Sequence, residues 1–570
     1  MRTPRFLEAR PPRPLLVRVA VAAISFGVAA CATDAAPAAV AAGADIGADA
    51  QAAVDGSATP DVATTPDVKG LAKVYLHDPI SDKEVTTAVP LMYLTDPEGK
   101  LTGQYTEVYN CLQESGGAAM KRRGFTVGNL CVEAQTVVPG ADGSYLHYAP
   151  PEDSGEAGDP FAELMMYYHV NQIHDYFADQ LGLHALDGKP LYALVNVSFN
   201  SKFGGGGWQG FPNAAFMPKE AFAQFGLPQR DEGAIVFGQY QKTDFSYDAS
   251  VIYHEYTHAI VGTTRLVGVL LDTYGLDNLT GAMNEGFADY FSCSLRDDPA
   301  IGPYALTFAG EHLQRDLSKP RKCPEDLTSE VHADGKIVGS ALWALRTSLG
   351  RDAVDPVILA ALQQFSMQTN LDMAAKLILK EAKAQIPDQA KKVEAILNEY
   401  GLIGCVRAKK WQDWFFQNSE DKLPLTVEAK ETATQGQFMK FPDGVPGYLQ
   451  HYIDVPADAA GVQVSWKAQA EGGFGSSTMA KLSLAVKSSK PVVLGLLDGG
   501  KISADAKLTV KADPNNPTGQ LITLTGGCIQ PGKRLYMMLL NQGARASITE
   551  TSVKFLKTAA GAANVESCPQ

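Results

Sequence analysis

The 570-residue sequence predicts an α+β protein in which a β-rich segment and a helical segment precede an all-β C-terminal region. Residues 70–150 contain short alternating runs separated by turn residues, such as KVYLHDP. Most of residues 248–410 shows the apolar spacing of helices, as in IVGSALWALRTSLG. Apolar alternation between turn clusters then returns, for example in YLQHYIDVPADAAGVQVSWKA, and this pattern is typical of a β-sandwich.

A chain of this length exceeds one hydrophobic core and is expected to form several domains. Its hydrophobic content of 45% and charged content of 20% are those of a globular protein. The predicted divisions are a signal segment (residues 1–31), a tether (32–68), a β-rich segment (69–155), a catalytic domain (156–408) and an all-β sandwich domain (409–570).

The first 31 residues predict an export signal. Five arginines precede an apolar run that is too short and interrupted to remain as a membrane-spanning helix. The run ends in Val28-Ala29-Ala30-Cys31, which resembles a bacterial lipobox and predicts a lipid anchor on Cys31 at the cell surface or outer membrane. The alternative is ordinary cleavage near Ala30 and secretion into the medium.

Residues 32–68 have almost no large apolar side chain and predict a disordered tether, since they cannot bury enough surface to offset chain entropy. The net charge of −14 argues against nucleic acid or an anionic membrane surface as a partner. We expect a monomer.

The cysteines beyond Cys31 predict disulfides, because the chain is expected to be exported and no C-x-x-C pair suggests a metal site. Proximity along the chain favours the pairs Cys111–Cys131, Cys293–Cys323 and Cys528–Cys568. Cys405 is then expected to remain unpaired.

The stretch SVIYHEYTHAIVG, residues 250–262, contains two histidines four positions apart. On a helix, His254 and His258 lie on one face and can bind one metal ion, with Glu255 beside them to accept a proton from metal-bound water. The alternative is a helix with two ordinary surface or core histidines. A zinc site also requires a third ligand.

Glu285 is a candidate for that ligand in the stretch LTGAMNEGFADYFSCSL, where small residues surround it and a buried carboxylate needs a partner. Asp289 follows one helical turn later and can accept the second N–H of a ligand histidine. Further along, His332 precedes a long apolar helix and can donate to the oxyanion that forms during amide hydrolysis. Without the other motifs, Glu285 and Asp289 would be interpreted as two exposed acids of an amphipathic helix, and His332 as a helix cap or surface residue.

These blocks, in this order, resemble the gluzincin metallopeptidases, most closely the fungalysin group and more distantly thermolysin. The resemblance extends from about residue 160 to residue 400, and includes NAAF followed by the strand IVFGQ. It implies a thermolysin-like catalytic fold and zinc as the cofactor, with calcium plausible but without assignable ligands. The zinc ligands it implies are His254, His258 and Glu285.

The same resemblance implies that Glu255 is the general base, that Asp289 orients His254 and that His332 stabilises the oxyanion. Asn213 and Ala214 correspond to the edge segment that aligns a peptide substrate as an added strand. A tyrosine assists the oxyanion histidine in this family; Tyr274 is the nearest candidate, although its spacing does not match. Either Asp326 or Glu330 can be the carboxylate partner of His332.

The predicted function is therefore exported zinc-dependent endoproteolysis, with polypeptides as substrates. Two alternatives stay open: a catalytically silent binding or adhesion protein on a peptidase scaffold, and an aminopeptidase of the same zinc class. His169 and His174, five positions apart, are expected to be packing or hydrogen-bonded residues. The glycine-rich stretch FGGGGWQG is expected to line a cleft, and the C-terminal domain to bind substrate or a surface, or to be removed on maturation.

Overall fold

The computed structural model describes residues 70–568, apart from residues 123–124, 203–205, 220–230, 265, 267–269, 308–314, 413, 416–424, 428–440, 471–479 and 497. The predicted signal, lipobox and tether therefore lie outside the described residues. Among those described, no helix combines the length and apolar character needed to cross a bilayer.

The first half of the chain builds one nine-stranded sheet and several small hairpins. The strands are β1 Leu71–Val74, β2 Thr87–Pro90, β3 Thr106–Leu112, β4 Ala119–Arg122, β5 Phe125–Leu130, β6 Val132–Ala134, β7 Leu191–Ser201, β8 Gly207–Gly210, β9 Ala214–Met217, β10 Ala234–Tyr240, β11 Thr243–Asp244, β12 Leu270–Asp272, β13 Gly275–Asp277, β14 Ala300–Ile301 and β15 Arg315–Asp316.

The centre of the nine-stranded sheet is β7, which runs parallel to β3 on one side and to β10 on the other. Its first eight residues are buried, as expected of a strand covered on both faces. Strand β9 pairs antiparallel with β10, and no other described strand pairs with it. Residues 145–151 form no strand in the described structure; an isolated bridge joins Tyr145 to Ala72.

Among the described residues, seven α-helices follow or interrupt these strands: α1 Pro160–Asp175, α2 Ala249–Gly262, α3 Leu279–Arg296, α4 Val331–Leu349, α5 Arg351–Leu362, α6 Leu371–Gln385 and α7 Ala390–Glu399. Helix α1 begins as its sequence predicts, with Pro160 at the first position and the Asp159 carboxylate accepting the N–H groups of Phe161 and Ala162. The helices pack with the large sheet around one apolar core.

Residues 408–568 form the second β-rich part, which we call the two-sheet region. Its strands are β16 Ala408–Lys410, β17 Trp414–Phe415, β18 Leu425–Val427, β19 Val445–Asp454, β20 Gly461–Ala470, β21 Leu482–Ser488, β22 Val493–Gly495, β23 Lys501–Ser503, β24 Ala506–Thr509, β25 Lys511–Asp513, β26 Asn516–Gly526, β27 Arg534–Asn541, β28 Ala546–Leu556 and β29 Val565–Cys568.

The two-sheet region contains a five-stranded sheet, ordered β16-β19-β27-β21-β24, and a seven-stranded sheet built around β28, β20 and β26. Alternate side chains of both sheets contribute to one apolar cluster, for example Leu484 and Met537 from the first and Val464 from the second. The predicted order of a β-rich, a helical and a second β-rich part is confirmed.

The part of the chain that the structure describes contains three disulfides, and they correct one of the predicted pairs. Cys111–Cys131 and Cys528–Cys568 form as predicted, with Cα atoms 5.2 and 5.3 Å apart. The third bond joins Cys323 to Cys405, whereas Cys293 is buried and free. Proximity along the chain failed here because Cys293 points into a small apolar cluster with Ile301 and Leu317, while the fold returns residue 405 to residue 323.

Candidate metal centre

Helix α2 supplies the first two groups of the candidate site. Asp248 caps it by accepting the N–H of Ser250 at 3.0 Å, and nearly every residue of the helix is buried. The four-residue spacing places the two imidazoles together, with His254 Nε2 and His258 Nε2 3.0 Å apart. Two imidazole nitrogens at this distance require either a shared proton or a cation between them.

Helix α3 brings the third group. Glu285 Oε2 lies 3.3 Å from His254 Nε2 and 3.7 Å from His258 Nε2. We call His254, His258 and Glu285 the His–Glu cluster; their ligand atoms all lie within 4.8 Å of one another. Donor atoms bound to a tetrahedral zinc ion at 2.0–2.1 Å lie about 3.3 Å apart, so these separations fit the ion.

The cluster is buried, and its electrostatics favour a cation. Burial disfavours the Glu285 carboxylate, but the nearby His332, His258 and His254 outweigh burial and hold its pKa well below the ordinary value. Glu285 Oε2 has no hydrogen-bond partner in the described structure, although three imidazole nitrogens surround it. A buried carboxylate oxygen that faces three imidazole nitrogens is a metal-ligand arrangement.

The outer nitrogens of both histidines have oxygen partners. His254 Nδ1 lies 2.8 Å from Asp289 Oδ1, and His258 Nδ1 lies 2.9 Å from Asn284 Oδ1. Such contacts fix the ring orientation and leave Nε2 for a metal. Burial lowers the pKa of His254, but Asp289 and Glu285 raise it more strongly, to about 9, so metal binding must displace a proton.

Two residues of this outer layer were not assigned by sequence reasoning. Asn284 immediately precedes Glu285, and its helical position opposite His258 was the available signal. Arg315 lies on β15 and donates from Nη2 and Nε to Asp289 Oδ1 at 2.8 and 3.1 Å. No motif pointed to Arg315, because the fold alone brings it to the carboxylate.

Glu255 lies beside the cluster with its side chain turned toward strand β9. Its Oε2 atom accepts the backbone N–H of Phe216 at 2.6 Å, and the residue is buried. In the same strand, Ala214 pairs with Phe237 of β10, while the Asn213 carbonyl accepts the N–H of Gly238 at 3.0 Å. The predicted edge segment therefore borders the predicted general base.

His332 reaches the cluster from the first turn of α4. Its Nε2 atom is 3.5 Å from Glu285 Oε2, and its Nδ1 atom is 2.7 Å from Glu330 Oε1. Of the two carboxylates left open by the sequence, Glu330 makes the contact, whereas Asp326 accepts the N–H of Lys322. Burial opposes protonation of His332, but Glu285 and Glu330 raise its pKa to about 9.

Two glycines allow α3 and α4 to approach so closely. A Cβ on Gly286 would lie 2.6 Å from Val338 Cβ, and a Cβ on Gly335 would lie 2.9 Å from Glu285 Cβ. Any larger residue at these positions would separate the helices. This contact sets the distance between His332 and Glu285.

The remaining candidates lie apart from the cluster. Tyr274 lies on the β12–β13 hairpin with 39% of its surface exposed, and none of its hydrogen bonds within the described structure reaches His332. His169 is buried between Tyr253 Oη and the Tyr75 carbonyl, at 2.8 and 2.9 Å, and His174 contacts Asp187. The prediction that these histidines are hydrogen-bonded packing residues is confirmed.

Comparison with known proteins finds a family model and several relatives that are similar to part of the chain. Residues 73–352 match the family model described as Fungalysin metallopeptidase (M36). The curated relatives include proteins named Extracellular metalloproteinase 5 from Trichophyton tonsurans, 25% identical over 210 residues, and from Arthroderma otae, 26% identical over 206 residues.

Each alignment covers 32% of this chain, and the chain spans about a third of the length of these relatives, 32% and 31% respectively. The predicted resemblance to the fungalysin group is confirmed. The match ends before the two-sheet region, to which the resemblance does not extend.

Proposed function

We propose that this chain, whose residues 73–352 match the fungalysin metallopeptidases, is a zinc-dependent endopeptidase. The observation that carries the proposal is the convergence of His254, His258 and Glu285 with Glu255 beside them. The first three residues would hold zinc, and Asp289 and Asn284 would orient the two histidines.

When bound, zinc would supply an acidified water molecule and polarise the substrate carbonyl. Glu255 would accept the proton of that water and return it to the leaving amine. The N–H of Phe216 holds one carboxylate oxygen of Glu255, so the other is available for the proton. His332, oriented by Glu330, would donate to the oxyanion of the tetrahedral intermediate.

The substrate would be an extended polypeptide lying along strand β9. Among the described strands β9 pairs with β10 alone, so its other edge can bind a peptide backbone at Asn213 and Ala214. A strand added in this way that continues past both ends of the site would be cleaved internally. Tyr274 stays a prediction, without a contact that supports its role.

We further propose that the protein is exported, either anchored through Cys31 or secreted. The sequence of residues 1–31 and the three disulfides support export, since disulfides persist in oxidising compartments. The relatives carry the word extracellular in their names. We also propose that the two-sheet region is a β-sandwich and that the protein is a monomer. Calcium would be a further bound ion, and no ligands are assigned to it.

The test pairs metal content with cleavage. Residues 69–570 would be purified as wild type, Glu255→Gln and the exposed control Glu152→Gln, and assayed for bound zinc and for casein cleavage with and without a chelator. We expect one zinc per chain in all three proteins. Cleavage should be chelator-sensitive in the wild type and control, and about 10²–10⁴-fold slower in Glu255→Gln.

Two results would contradict the proposal. Bound zinc without cleavage in the wild type would favour the silent binding protein, and absence of zinc would reject the metal centre. Mass spectrometry of the products separates the remaining alternative, because an aminopeptidase releases free amino acids from the N-terminus whereas an endopeptidase leaves internal fragments.

A further inference from the structure

The chain enters the two-sheet region through a short extended segment, residues 405–410, which touches the loops around the candidate site. Every second side chain points toward those loops. Cys405 is bonded to Cys323, and Lys409 Nζ donates to the Leu327 carbonyl at 2.8 Å. Both partners precede Glu330 and His332, which lie at the beginning of α4. Between the two lies Arg407.

Arg407 is a buried arginine whose guanidinium group meets several acceptors. Nη1 donates to the Leu276 and Tyr448 carbonyls, the second at 2.8 Å. Nη2 donates to Asp272, and Nε lies 3.6 Å from Asp277 Oδ2. The planar guanidinium thus joins three residues of the β12–β13 hairpin to strand β19 of the two-sheet region, a geometry that a lysine cannot reproduce.

The β12–β13 hairpin is itself embedded in the two-sheet region. Leu276 belongs to an apolar cluster with Val445, Tyr448 and Met538. The N–H of Leu494 donates to the Thr273 carbonyl at 2.7 Å. A Cβ on Gly275 would lie 3.0 Å from Pro446 Cβ, so the hairpin and β19 are in tight contact.

This hairpin leads directly into helix α3, which carries Asn284, Glu285 and Asp289. Asp277 accepts the N–H of Leu279 at 2.9 Å and so defines where α3 begins. The next residue, Asn278, donates to the Ser329 carbonyl at 2.7 Å, just before the Glu330–His332 pair. Arg407 therefore acts at the junction from which both Glu285 and His332 are placed.

We propose that Arg407 is a positioning residue for the metal centre and that the two-sheet region is part of the working enzyme. The inference rests on the proposed function. It replaces the expectation that the C-terminal part is removed on maturation, because removal after residue 406 would leave Asp277 and the Leu276 carbonyl without the guanidinium.

The test uses residues 69–570 with Arg407→Met and Arg407→Lys. The matched control is Arg534→Met, which removes an arginine bound to Asp454 on the surface of the two-sheet region, 3.0 Å from Nε to Oδ1. Steady-state kinetics on a short peptide, zinc affinity and thermal unfolding would be measured for each protein. Lys409→Met serves as a second, milder variant.

We expect Arg407→Met to lower kcat about 10- to 100-fold with little change in KM, since a small displacement of the reacting groups has effects of this size. Its zinc affinity should fall about tenfold through misplacement of Glu285. Arg407→Lys should lie between Arg407→Met and the wild type, because an ammonium group can pair with a carboxylate but not satisfy every acceptor. Arg534→Met should match the wild type.

The inference is overturned if folded Arg407→Met retains wild-type kcat and zinc affinity, or if Arg534→Met loses as much. Should Arg407→Met fail to fold, Arg407→Lys decides: an unchanged kcat and zinc affinity in that variant also overturns it. Zinc affinity further separates the two proposals. Wild type without cleavage would refute the proposed function, while a specific zinc deficit in Arg407→Met would still support the positioning role.

Discussion

The two halves of this molecule bury very different side chains. Up to residue 400, the buried charged residues are Asp78, Asp159, Glu163, Asp244, Asp248, Glu255, Asp277, Glu285, Asp289, Asp334, Lys336, Arg346 and Asp355. Within the described part of residues 408–568, no Asp, Glu, Lys or Arg is buried. Since burying a charge is costly unless it is paired, the first half must supply partners that the second half does not need.

Most of the buried charges in the first half are structural, and their partners show it. Asp355 accepts hydrogen bonds from Tyr176, Tyr290 and Ser294, and so ties three helical segments together. Glu285 differs, because one of its oxygens accepts no hydrogen bond in the described structure and faces three imidazoles. The contrast teaches that burial of charge alone does not mark a site, whereas a buried carboxylate oxygen that faces several imidazole nitrogens does.

The largest expected effect tests whether His332 belongs to the chemistry or to the packing. His332→Gln should lower kcat about 10²–10³-fold, because a donor to the oxyanion contributes to the transition state more than to the ground state. Zinc content should stay at one per chain. His147→Gln, at an exposed position, is the control and should keep full activity. A His332→Gln protein that loses zinc instead would assign the histidine to metal binding.

The next largest effect distinguishes a buried carboxylate that orients a candidate zinc ligand from one that only stabilises the fold. Asp289→Asn should weaken zinc binding about 10- to 100-fold, since the partner of His254 becomes neutral and Arg315 loses its counter-charge. Asp355→Asn, a change in an equally buried carboxylate away from the cluster, should destabilise the fold without changing zinc affinity. Competition with a chelating dye measures the affinity. If both variants lost zinc affinity equally, general destabilisation of the fold and not the orientation of His254 would determine that affinity.

The sequence predicted which residues come together in the His–Glu cluster better than it predicted the contacts around them. The spacing of His254 and His258 requires only a helix, and the small residues around Glu285 indicate close helix packing, which Gly286 and Gly335 provide. Arg315 and Arg407 could not be found in this way. Their partners are far away in sequence, and the spacing of apolar residues does not predict which loop a long side chain will contact.

The two-sheet region shows the same limit in another form. Alternation in β20 predicted a strand with one buried face, and the structure has it. Strand order and register depend on contacts between distant segments, such as β20 between β26 and β28, which alternation cannot reveal. The bond between Cys323 and Cys405 escaped prediction for the same reason.

The smallest expected effect concerns His451, a buried imidazole in the two-sheet region whose ring nitrogens have no hydrogen-bond partner among the described residues. It packs against Trp411, with ring centroids 4.9 Å apart. Burial, assisted by the Lys409 ammonium, lowers its pKa from 6.5 to about 3. Below pH 6.5 the unfolded chain therefore binds a proton that the folded chain does not, and stability falls as the pH falls.

Between pH 7.5 and 5.5 this difference should cost about 1.4 kcal/mol of unfolding free energy. His451→Phe removes the titrating group at similar size, so its urea midpoint should depend less on pH than that of the wild type. Trp411→Phe keeps the imidazole and should retain the wild-type slope, even if its stability is lower throughout. A chelator in every sample prevents zinc release from adding its own pH dependence. If the urea midpoints of the wild type and His451→Phe changed equally with pH, the imidazole would be protonated in the folded state. The two-sheet region would then accept a buried charge as the first part of the chain does.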